Sequence, residues 1–554
     1  MAKYTIGVDF GTLSARALLV DTKDGRELAS VAMDYPHGVM DRTFCATGEA
    51  LPPSYALQHP ADYLETLVFV VSSAVKQAAV DPADVVGLGI DFTCCTLLSV
   101  DAEGTPLCFL PAFEKTPLAY SILWKHHAAH KYAAHLTEVA EARGESFLAR
   151  CGGKVDDEWT LAKMAQVMHE APTVWDAADR FLEGGDFLVQ TITGERKNRS
   201  YHFAAYKTHY VAGTGYPSVE YLDAAYPKWG ETVLKKLRGE LLLMGSCAGH
   251  LTAEYAEKLG LCEGTAVAVA TPDAHSAGAS LGLSRAGDMF AVLGTSGCFM
   301  AIGDRDLSVP GICGVVKDGI LPDFYGYEAG LCSLGDHYAF AAKNLTSPAY
   351  AKEAEARGIG MLQLLLEKAA QKKAGESGLL ALNWFNGNRS ILVDSSLSGC
   401  FVGMTLATAP EDMLRALLEA TAFGMRNIVD NFESHGLEIG HIVAAGGIAR
   451  KDAFTMQLYA DVLGREIAVS STAQAPARGV AVGAAAAAGV YPDMQAAVKA
   501  MHAVPDRVYV PDASEHAVYD KLYAEYKTLH DYFGRGENGV MARLRALCAE
   551  RKGN

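Results

Sequence analysis

Chemistry-bearing side chains crowd the tip of a predicted β-hairpin at the start of the chain. The apolar runs Thr5–Phe10 and Ala15–Asp21 have the pattern of two strands joined by a short link that contains glycine. A structural turn needs only the glycine. This tip also carries a carboxylate, two hydroxyls and a guanidinium, on Asp9, Thr12, Ser14 and Arg16. The combination predicts a tip that holds an anion together with its metal ion.

Each residue type at this tip suggests one role. The backbone N–H group of Gly11 and the Thr12 hydroxyl are suited to cradling phosphates. Asp9 is predicted to orient Mg²⁺ through water, because Mg²⁺ prefers oxygen ligands and keeps several waters. Arg16 would offset charge on the phosphates. The DFG triplet here is not that of a protein kinase, since no Gly-rich loop, VAIK-like strand or HRD loop accompanies it.

Two further glycine-containing loops occur in the second half of the chain. Residues 294–297, GTSG, join two strand-like runs within 288–302. Residues 446–452, GGIARKD, follow the strand-like run 441–445 and precede a helix. Each loop alone is a common turn. Glycines at such a junction let a ligand approach the backbone closely, so together the loops predict contacts with a nucleotide.

The segment TPDAHS, residues 271–276, ends the strand-like run 266–270 and begins a helix of small residues. Asp273 has two interpretations. One is a helix N-cap, a position that favours aspartate. The other is a general base that accepts a hydroxyl proton during phosphoryl transfer. A helix N-terminus favours the ionised carboxylate that a base requires, and the neighbouring His275 is interpreted as structural.

The elements that position these loops repeat along the chain. In each half, a hairpin with hydroxyls at its tip is followed by an amphipathic helix, over residues 61–79 and 411–434. An apolar strand follows each helix, over residues 85–91 and 441–445. The repetition predicts two α/β halves that face one nucleotide across a cleft.

The boundary between the halves is predicted to separate a domain at 1–283 from one at 284–554. Residues 105–250 fit no part of the repeated layout, are rich in Trp, His and Lys, and are predicted to form an insertion that builds a substrate pocket. The apolar run 479–491 is too short to span a bilayer and is predicted to be a packed helix. The tail after Tyr491 is predicted to consist of helices packed on the second domain.

Composition excludes several classes of function. A chain of 554 residues is too long for one core, so two large domains are expected. The net charge of −17 argues against a nucleic-acid partner. The 12 scattered cysteines include no CxxC pair and predict reduced thiols in a cytoplasmic protein. The start of the chain lacks the pattern of a signal peptide, and no membrane partner is expected.

Eight segments, in this order, resemble the FGGY carbohydrate kinases and, within that family, its ribulokinase branch. They are VDFGTLSARALLVD, GLGIDFTCCT, LWKHH, GTSGC, GICG, YEAGLCSLGD, NWFNGNRS and AGGIARKD. The resemblance runs from about Lys3 to Tyr491. It implies two actin-like, ribonuclease H-like α/β domains with mixed sheets flanked by helices, and it places ATP and sugar in the cleft between them.

The resemblance also implies an activity and a set of site residues. The implied reaction is the phosphorylation of L-ribulose by ATP with Mg²⁺, giving L-ribulose 5-phosphate in L-arabinose catabolism, by a homodimer. The implied catalytic base is Asp273, and the implied sugar contacts are Trp124, Lys207, Asp273 and Glu328. The implied ATP contacts are Gly11, Thr12, Arg16, Gly294, Thr295, Gly446, Gly447 and Lys451, with Asp9 holding Mg²⁺ through water.

The sugar-binding residues suit a ketopentose, yet each has a plainer interpretation. Trp124 offers an apolar face and one N–H donor, Lys207 can donate to the ketone, and Glu328 can accept from hydroxyls. The plainer interpretation makes Trp124 a core side chain and the two charged residues solvated surface groups. One departure from the family signature is that Trp159 precedes Lys163, whereas the signature places a lysine shortly before a tryptophan.

Other functions stay open at the level of sequence. The same scaffold could phosphorylate D-ribulose, xylulose, ribitol or glycerol. An ATP-driven chaperone would need a β-rich peptide-binding domain, and only about sixty residues follow Tyr491. An actin-like filament protein would polymerise with ATP. A non-catalytic sugar sensor needs no base, so the presence of Asp9, Asp273 and both hydroxyl-bearing tips argues against it.

Overall fold

Two seven-stranded mixed β-sheets, one from each half of the chain, organise the computed structural model, which describes residues 2–552. The strands of the first half are β1 Tyr4–Phe10, β2 Ser14–Asp21, β3 Glu27–Asp34, β4 Leu57–Gln58, β5 Val85–Phe92, β6 Leu97–Val100, β7 Ser121–Ile122, β8 Arg180–Glu183, β9 Asn198–Ser200, β10 Glu240–Leu242, β11 Cys247–His250, β12 Ala266–Ala268 and β13 Thr271–Pro272. Its helices are α1 Pro60–Ala78, α2 His130–Arg143, α3 Thr160–Glu170, α4 Pro172–Ala177, α5 Gly184–Thr193, α6 Tyr201–Lys207, α7 Val219–Ala225, α8 Gly230–Lys236, α9 Ala253–Leu259 and α10 Asp273–Ser280.

The second half begins with the second predicted hairpin. Its strands are β14 Asp288–Leu293, β15 Gly297–Gly303, β16 Gly314–Lys317, β17 Tyr325–Leu331, β18 Leu380–Leu382, β19 Cys400–Val402, β20 His441–Ala445, β21 Ile467–Ser470 and β22 Pro505–Tyr509. Its helices are α11 Gly335–Asn344, α12 Pro348–Arg357, α13 Met361–Ala370, α14 Pro410–Ser434, α15 Gly447–Lys451, α16 Ala453–Leu463, α17 Ala475–Ala487, α18 Met494–Met501, α19 Ala513–Gly534 and α20 Val540–Lys552.

The two main sheets share one strand order, which confirms the predicted duplication. The first runs β3-β2-β1-β5-β12-β11, with β13 also paired to β5, and the second runs β16-β17-β15-β14-β20-β21-β22. In each, the hairpin strands are antiparallel, and the first hairpin strand pairs in parallel with the strand that follows the long helix. Parallel pairing aligns the carboxyl ends of these strands, so the polar residues that end them lie at one edge.

The structure corrects two predictions about where the repeated layout ends. The tail after Tyr491 is not wholly helical, because β22 pairs antiparallel with β21 at the edge of the second sheet. β11, inside the predicted insertion 105–250, pairs antiparallel with β12 at the matching edge of the first sheet. An edge strand buries little apolar surface, so neither segment carries the alternating or continuous apolar pattern that predicts a strand.

Helix α14 shows how the second half builds its core. It spans 25 residues and buries Leu414, Leu417, Leu418 and Phe423, which pack with residues of α16 and β18 in one cluster. Its apolar residues recur at helical spacing, and the charged Arg415 and Glu419 are buried among them as an ion pair. Within residues 2–552, no helix combines the length and apolar character that a membrane span requires.

Helix α17 belongs to the second half but packs against the first sheet. A Cβ atom on Gly7 would lie 1.7 Å from the carbonyl oxygen of Ala477, and one on Gly89 would lie 2.1 Å from that of Val480. Only glycine permits a helix backbone to approach a strand this closely. Helix α10 crosses α17 in the same manner, with the Ser276 carbonyl oxygen 1.8 Å from where a Cβ on Gly479 would stand.

Candidate active site

Three carboxyl groups meet at the carboxyl edge of the first sheet. β1 and β5 place Asp9 opposite Asp91, and β13, beside β5, leads directly into Asp273 at the start of α10. Burial raises the pKa of all three groups, and the charge of Asp9 raises the pKa of the other two further, to about 7 for Asp273. Asp91 is fully buried, and its Oδ1 has no hydrogen-bond partner in the described chain.

The start of α10 favours the ionised form of Asp273, as expected, but the burial of this carboxyl opposes it. Asp273 is the first residue of α10, and Pro272 occupies the cap position. The Ala274 amide donates to Asp273 Oδ1 at 2.7 Å and lowers its pKa. Burial and the nearby Asp9 outweigh this hydrogen bond and raise the pKa to about 7.

The first hairpin tip gathers further predicted residues. Arg16 lies opposite Asp9 on the hairpin, with its Nη1 3.8 Å from Asp9 Oδ2. Trp124 Nε1 donates to Thr12 Oγ1 at 3.0 Å, which ties the insertion to the hairpin tip. Trp124 is half-buried rather than enclosed in the core. The structure therefore brings Asp9, Thr12, Arg16 and Trp124 to one place.

Lys207 and Glu328 form an ion pair between the two halves. Lys207 Nζ lies 3.3 and 3.4 Å from the two carboxylate oxygens of Glu328. Burial disfavours both charges, but each charge stabilises the other, so the net pKa of Lys207 is raised and that of Glu328 is lowered. Lys207 is only 8% exposed, so it is not a solvated surface charge.

His275 belongs to the same cluster, although the sequence suggested only a structural role. Its Nε2 lies 3.3 Å from Glu328 Oε2, and its ring packs against Tyr206 with 4.3 Å between centroids. Burial lowers the pKa of His275 despite the nearby carboxylate, so the ring is neutral at pH 7. A neutral imidazole that donates to Glu328 orients that carboxylate without competing with Lys207 for its charge.

The two glycine loops of the second half lie side by side. Gly446 has a φ of 98°, and a Cβ atom there would lie 2.5 Å from the carbonyl oxygen of Leu293. Leu293 directly precedes the GTSG turn at 294–297, so this turn is adjacent to the start of α15. Gly447 is the first residue of α15, and a Cβ atom there would have no neighbouring atom within 4 Å. Lys451 is the last residue of α15 and is exposed.

Family models account for both halves of this arrangement. The model described as the FGGY family of carbohydrate kinases, N-terminal domain, matches residues 4–279, and its C-terminal counterpart matches residues 289–488. The chain belongs to the FGGY family of carbohydrate kinases. A member of this family transfers a phosphoryl group from ATP to a hydroxyl group of a carbohydrate.

Relatives of this FGGY kinase that match it over nearly their full length include ribulokinases. A ribulokinase of Halalkalibacterium halodurans is 48% identical over 98% of this chain and 97% of its own length. A ribulokinase of Mycolicibacterium smegmatis is 45% identical over 98% of this chain and 96% of its own length. The solved gluconate kinase of Lactobacillus acidophilus superposes with a TM-score of 0.80 at 20% identity, covering 97% of this chain and 99% of that one. That likeness confirms the predicted two-domain fold.

The FGGY kinase site contains charged residues that the sequence analysis did not select. Asp91 ends its strand on a carboxylate as Asp9 does, and that parallel was the signal for it. The Arg389 side chain lies against β17, because its Cδ is 3.3 Å from the position that a Cβ atom on Gly330 would take. Its positive charge lowers the pKa of Glu328. Glu158 approaches Arg389 from the first half, and burial raises the pKa of Glu158. No spacing pattern singled out the last two.

A buried lysine supports two loops of the FGGY kinase site. Lys163 is fully buried, and its Nζ donates to the carbonyl oxygens of Cys95 at 2.6 Å and Leu123 at 2.8 Å. Leu123 directly precedes Trp124. An ammonium group that holds two backbone carbonyls fixes the path of both loops, so Lys163 is a positioning residue.

Replacing Lys163 with methionine is expected to raise the KM for the sugar about tenfold, because the Trp124 loop loses its anchor. Stability should fall by about 3 kcal/mol, since two buried carbonyls lose their donor. Lys236→Met is the matched control, because Lys236 also donates to two buried carbonyls, those of Trp175 and Ala178. Steady-state kinetics and thermal unfolding of both variants separate the effects. An equal KM in the two variants would contradict a positioning role.

Proposed function

We propose that the protein is a ribulokinase that phosphorylates L-ribulose with ATP and yields L-ribulose 5-phosphate in L-arabinose catabolism. Identity of 44–48% over nearly the whole chain with five ribulokinases carries this proposal. Xylulose, gluconate and glycerol kinases share no more than 24% identity and support the fold alone. D-ribulose, xylulose, ribitol and glycerol remain the alternative acceptors.

In the proposed mechanism, Asp273 is the general base. It accepts the proton of the terminal sugar hydroxyl as that oxygen attacks the γ-phosphorus of ATP in line with the departing ADP. Its raised pKa suits this task, since a base works best when its pKa lies near the working pH. The nearby charge of Asp9 adds to burial in raising the pKa of Asp273 and so favours proton uptake by Asp273.

The ion pair of Lys207 and Glu328 holds the sugar in this proposal. Lys207 donates to the ketone oxygen, and Glu328, oriented by His275, accepts from hydroxyl groups. Because both charged groups are buried, an acceptor without matching oxygens would leave their remaining hydrogen-bond donors and acceptors without partners, which gives the site its selectivity. Trp124, held by Thr12, covers one face of the sugar.

The phosphates of ATP are assigned to the two hairpin tips, and the adenine side of ATP is assigned to the Gly446 loop. Gly11, Thr12, Arg16, Gly294, Thr295, Gly446, Gly447 and Lys451 are the proposed contacts. Asp9 and Asp91 fit Mg²⁺, because they are adjacent carboxylates of raised pKa and one of their oxygens lacks a partner. Mg²⁺ would be held there through water and would neutralise phosphate charge.

We further propose a functional boundary at residue 283, with domains 1–283 and 284–554, and a cytoplasmic homodimer. All 12 cysteines are unpaired, which suits a reducing compartment. Light scattering of the purified protein tests the dimer directly, and a mass near 59.0 kDa in solution would contradict it.

An acceptor panel tests the proposed activity. ADP release is measured with Mg-ATP alone and with L-ribulose, D-ribulose, D-xylulose, ribitol or glycerol. We expect the highest kcat/KM with L-ribulose and little release without sugar. A higher kcat/KM with another acceptor would make that acceptor the proposed substrate in place of L-ribulose. ADP release that does not depend on any sugar would favour a chaperone or filament protein.

The raised pKa of Asp273 predicts how activity depends on pH. Below about pH 7 the carboxyl is protonated and cannot act as a base, so kcat/KM should fall tenfold per pH unit on the acid side. Glu183→Gln is the control, because burial also raises the pKa of Glu183 to about 7, yet this residue is not among the proposed catalytic or substrate-binding residues. That variant should keep the acid limb. A flat profile from pH 5.5 to 8 would remove Asp273 as the base.

A further inference from the structure

A surface groove on the first half collects basic side chains in an otherwise acidic protein. The groove has a volume of about 440 Å³ and lies where the turn after β6, the start of β8, the turn after α5 and the start of β10 meet. Its charged lining comprises Arg180, Arg196, Lys197, Arg238, Asp179 and Glu240. Four cations against two anions make this groove positive in a protein whose net charge is −17.

Arg180 is the rigid part of the groove. It is only 4% exposed, and its Nη1 donates to Gln190 Oε1 at 3.1 Å and to the Arg196 carbonyl oxygen at 2.7 Å. Its Nη2 makes no hydrogen bond within the described residues and lies 3.8 Å from where a Cβ on Gly104 would stand. A guanidinium fixed on one edge with donors left on the other is preorganised for an oxyanion.

The carboxylates at the groove only partly offset the positive charge of its arginines. Asp179 forms an ion pair with Arg238 and also lies 3.7 Å from Arg180 Nε, so one carboxylate serves two guanidinium groups. Arg196 has no carboxylate within 4.0 Å among residues 2–552. Burial and, to a smaller extent, the positive charges of neighbouring arginines lower the pKa of Arg180. A bound anion would relieve this repulsion.

We propose that this groove binds a phosphate group, carried by inorganic phosphate or by a small phosphorylated metabolite, at a place separate from the active site. The fixed Arg180 supplies donors on the groove floor, and the exposed Arg196 and Arg238 close on the phosphate from the rim. A phosphate dianion matches the excess of positive charge at the groove. Strand β8 begins at Arg180 and ends at Glu183, whose charge acts on the buried Lys163. One short strand therefore separates the groove from the lysine that holds the Trp124 loop.

Calorimetric titration of the full-length protein tests this site. The probes are inorganic phosphate and glucose 6-phosphate at constant ionic strength, with chloride as the reference anion. The test variant is Arg196→Gln with Arg238→Gln, both exposed positions, and the control is Arg143→Gln, an exposed arginine of α2 outside the groove. Wild type and control should bind phosphate equally, and the double variant at least about tenfold more weakly.

Each outcome of the titration either contradicts the proposal or distinguishes the two classes of ligand. Tighter binding of the ester than of inorganic phosphate identifies a phosphorylated metabolite, and equal binding identifies free phosphate. Binding that is unchanged in the double variant, or that wild type shows equally for chloride, overturns the proposal. If the double variant does not fold, as judged by its melting temperature, Lys197→Glu serves instead, since Lys197 is exposed at the rim.

Discussion

Replacing Asp273 with asparagine is expected to lower kcat by about 10²–10⁴-fold while the Kd for the sugar changes little. The carboxamide keeps the shape of the side chain and its position at the start of α10, but it cannot take up the hydroxyl proton. Steady-state ADP release gives kcat, and calorimetric titration of the sugar gives Kd. An unchanged kcat would exclude Asp273 as the base.

Two comparisons separate this loss from a folding defect. Asp412→Asn is the control, because Asp412 is a buried carboxylate in the first turn of α14, where it accepts from the Ala409 amide at 2.9 Å. It should leave kcat intact. The pKa of Asp273, raised to about 7 from an ordinary 3.8, also makes wild type lose stability as the pH rises through 7. Asp273→Asn should therefore raise the melting temperature at pH 8 and have little effect near pH 4.

Breaking the pair of Lys207 and Glu328 is expected to lower kcat/KM by about 10²–10³-fold. Lys207→Met leaves Glu328 buried without its cation, and the sugar loses the donor proposed for its ketone. Because burial alone raises the pKa of Glu328, the carboxyl should take up a proton in this variant at a higher pH than in wild type. The change should appear mainly in KM, measured with L-ribulose.

A double-mutant cycle shows whether the two residues act as a unit. The double variant Lys207→Met with Glu328→Gln should lose less kcat/KM, expressed as free energy, than the sum of the losses in the two single variants. The reason is that Glu328→Gln removes the charge that Lys207→Met leaves unpaired. Arg415→Met is the control, because Arg415 and Glu419 form a buried ion pair at 2.8 Å within α14. It should lower stability and leave kcat/KM unchanged. Additive losses for the Lys207 cycle would contradict the coupling.

The sequence predicted the elements whose apolar patterns are long and uniform. The strand Val85–Phe92 and the helices Pro60–Ala78 and Pro410–Ser434 lie within a residue or two of their predicted bounds. Each buries a full face or stripe, so its periodicity is strong. β11 and β22 were missed because an edge strand is short and half exposed, and its pairing depends on a partner distant in sequence.

The site was predictable only where residue type and turn position coincide. Asp9 lies near the end of an apolar strand and Asp273 directly follows one, and parallel pairing with β5 brings both to one sheet edge. The pairing of Lys207 with Glu328 joins residues 121 positions apart and depends on how two domains meet, which no local pattern records. The raised pKa of Asp273 has no signal in the sequence for a related reason, because desolvation depends on the whole surrounding fold.

The packing of α17 against the first sheet makes the folding of the first half depend on the second half. The bare glycine surface around Gly7 and Gly89 has no side chains of its own to cover the sheet, and the Thr5 hydroxyl donates to the Ala481 carbonyl at 2.9 Å. A fragment ending at residue 283 would expose this surface to water and lose the helix that fills it. The first half should therefore complete its structure only after the ribosome has added α17, nearly two hundred residues later. Although the two main sheets come from different halves of the sequence, the chain is therefore expected to assemble as one unit, and the nascent first half would leave one face of its sheet uncovered during that interval.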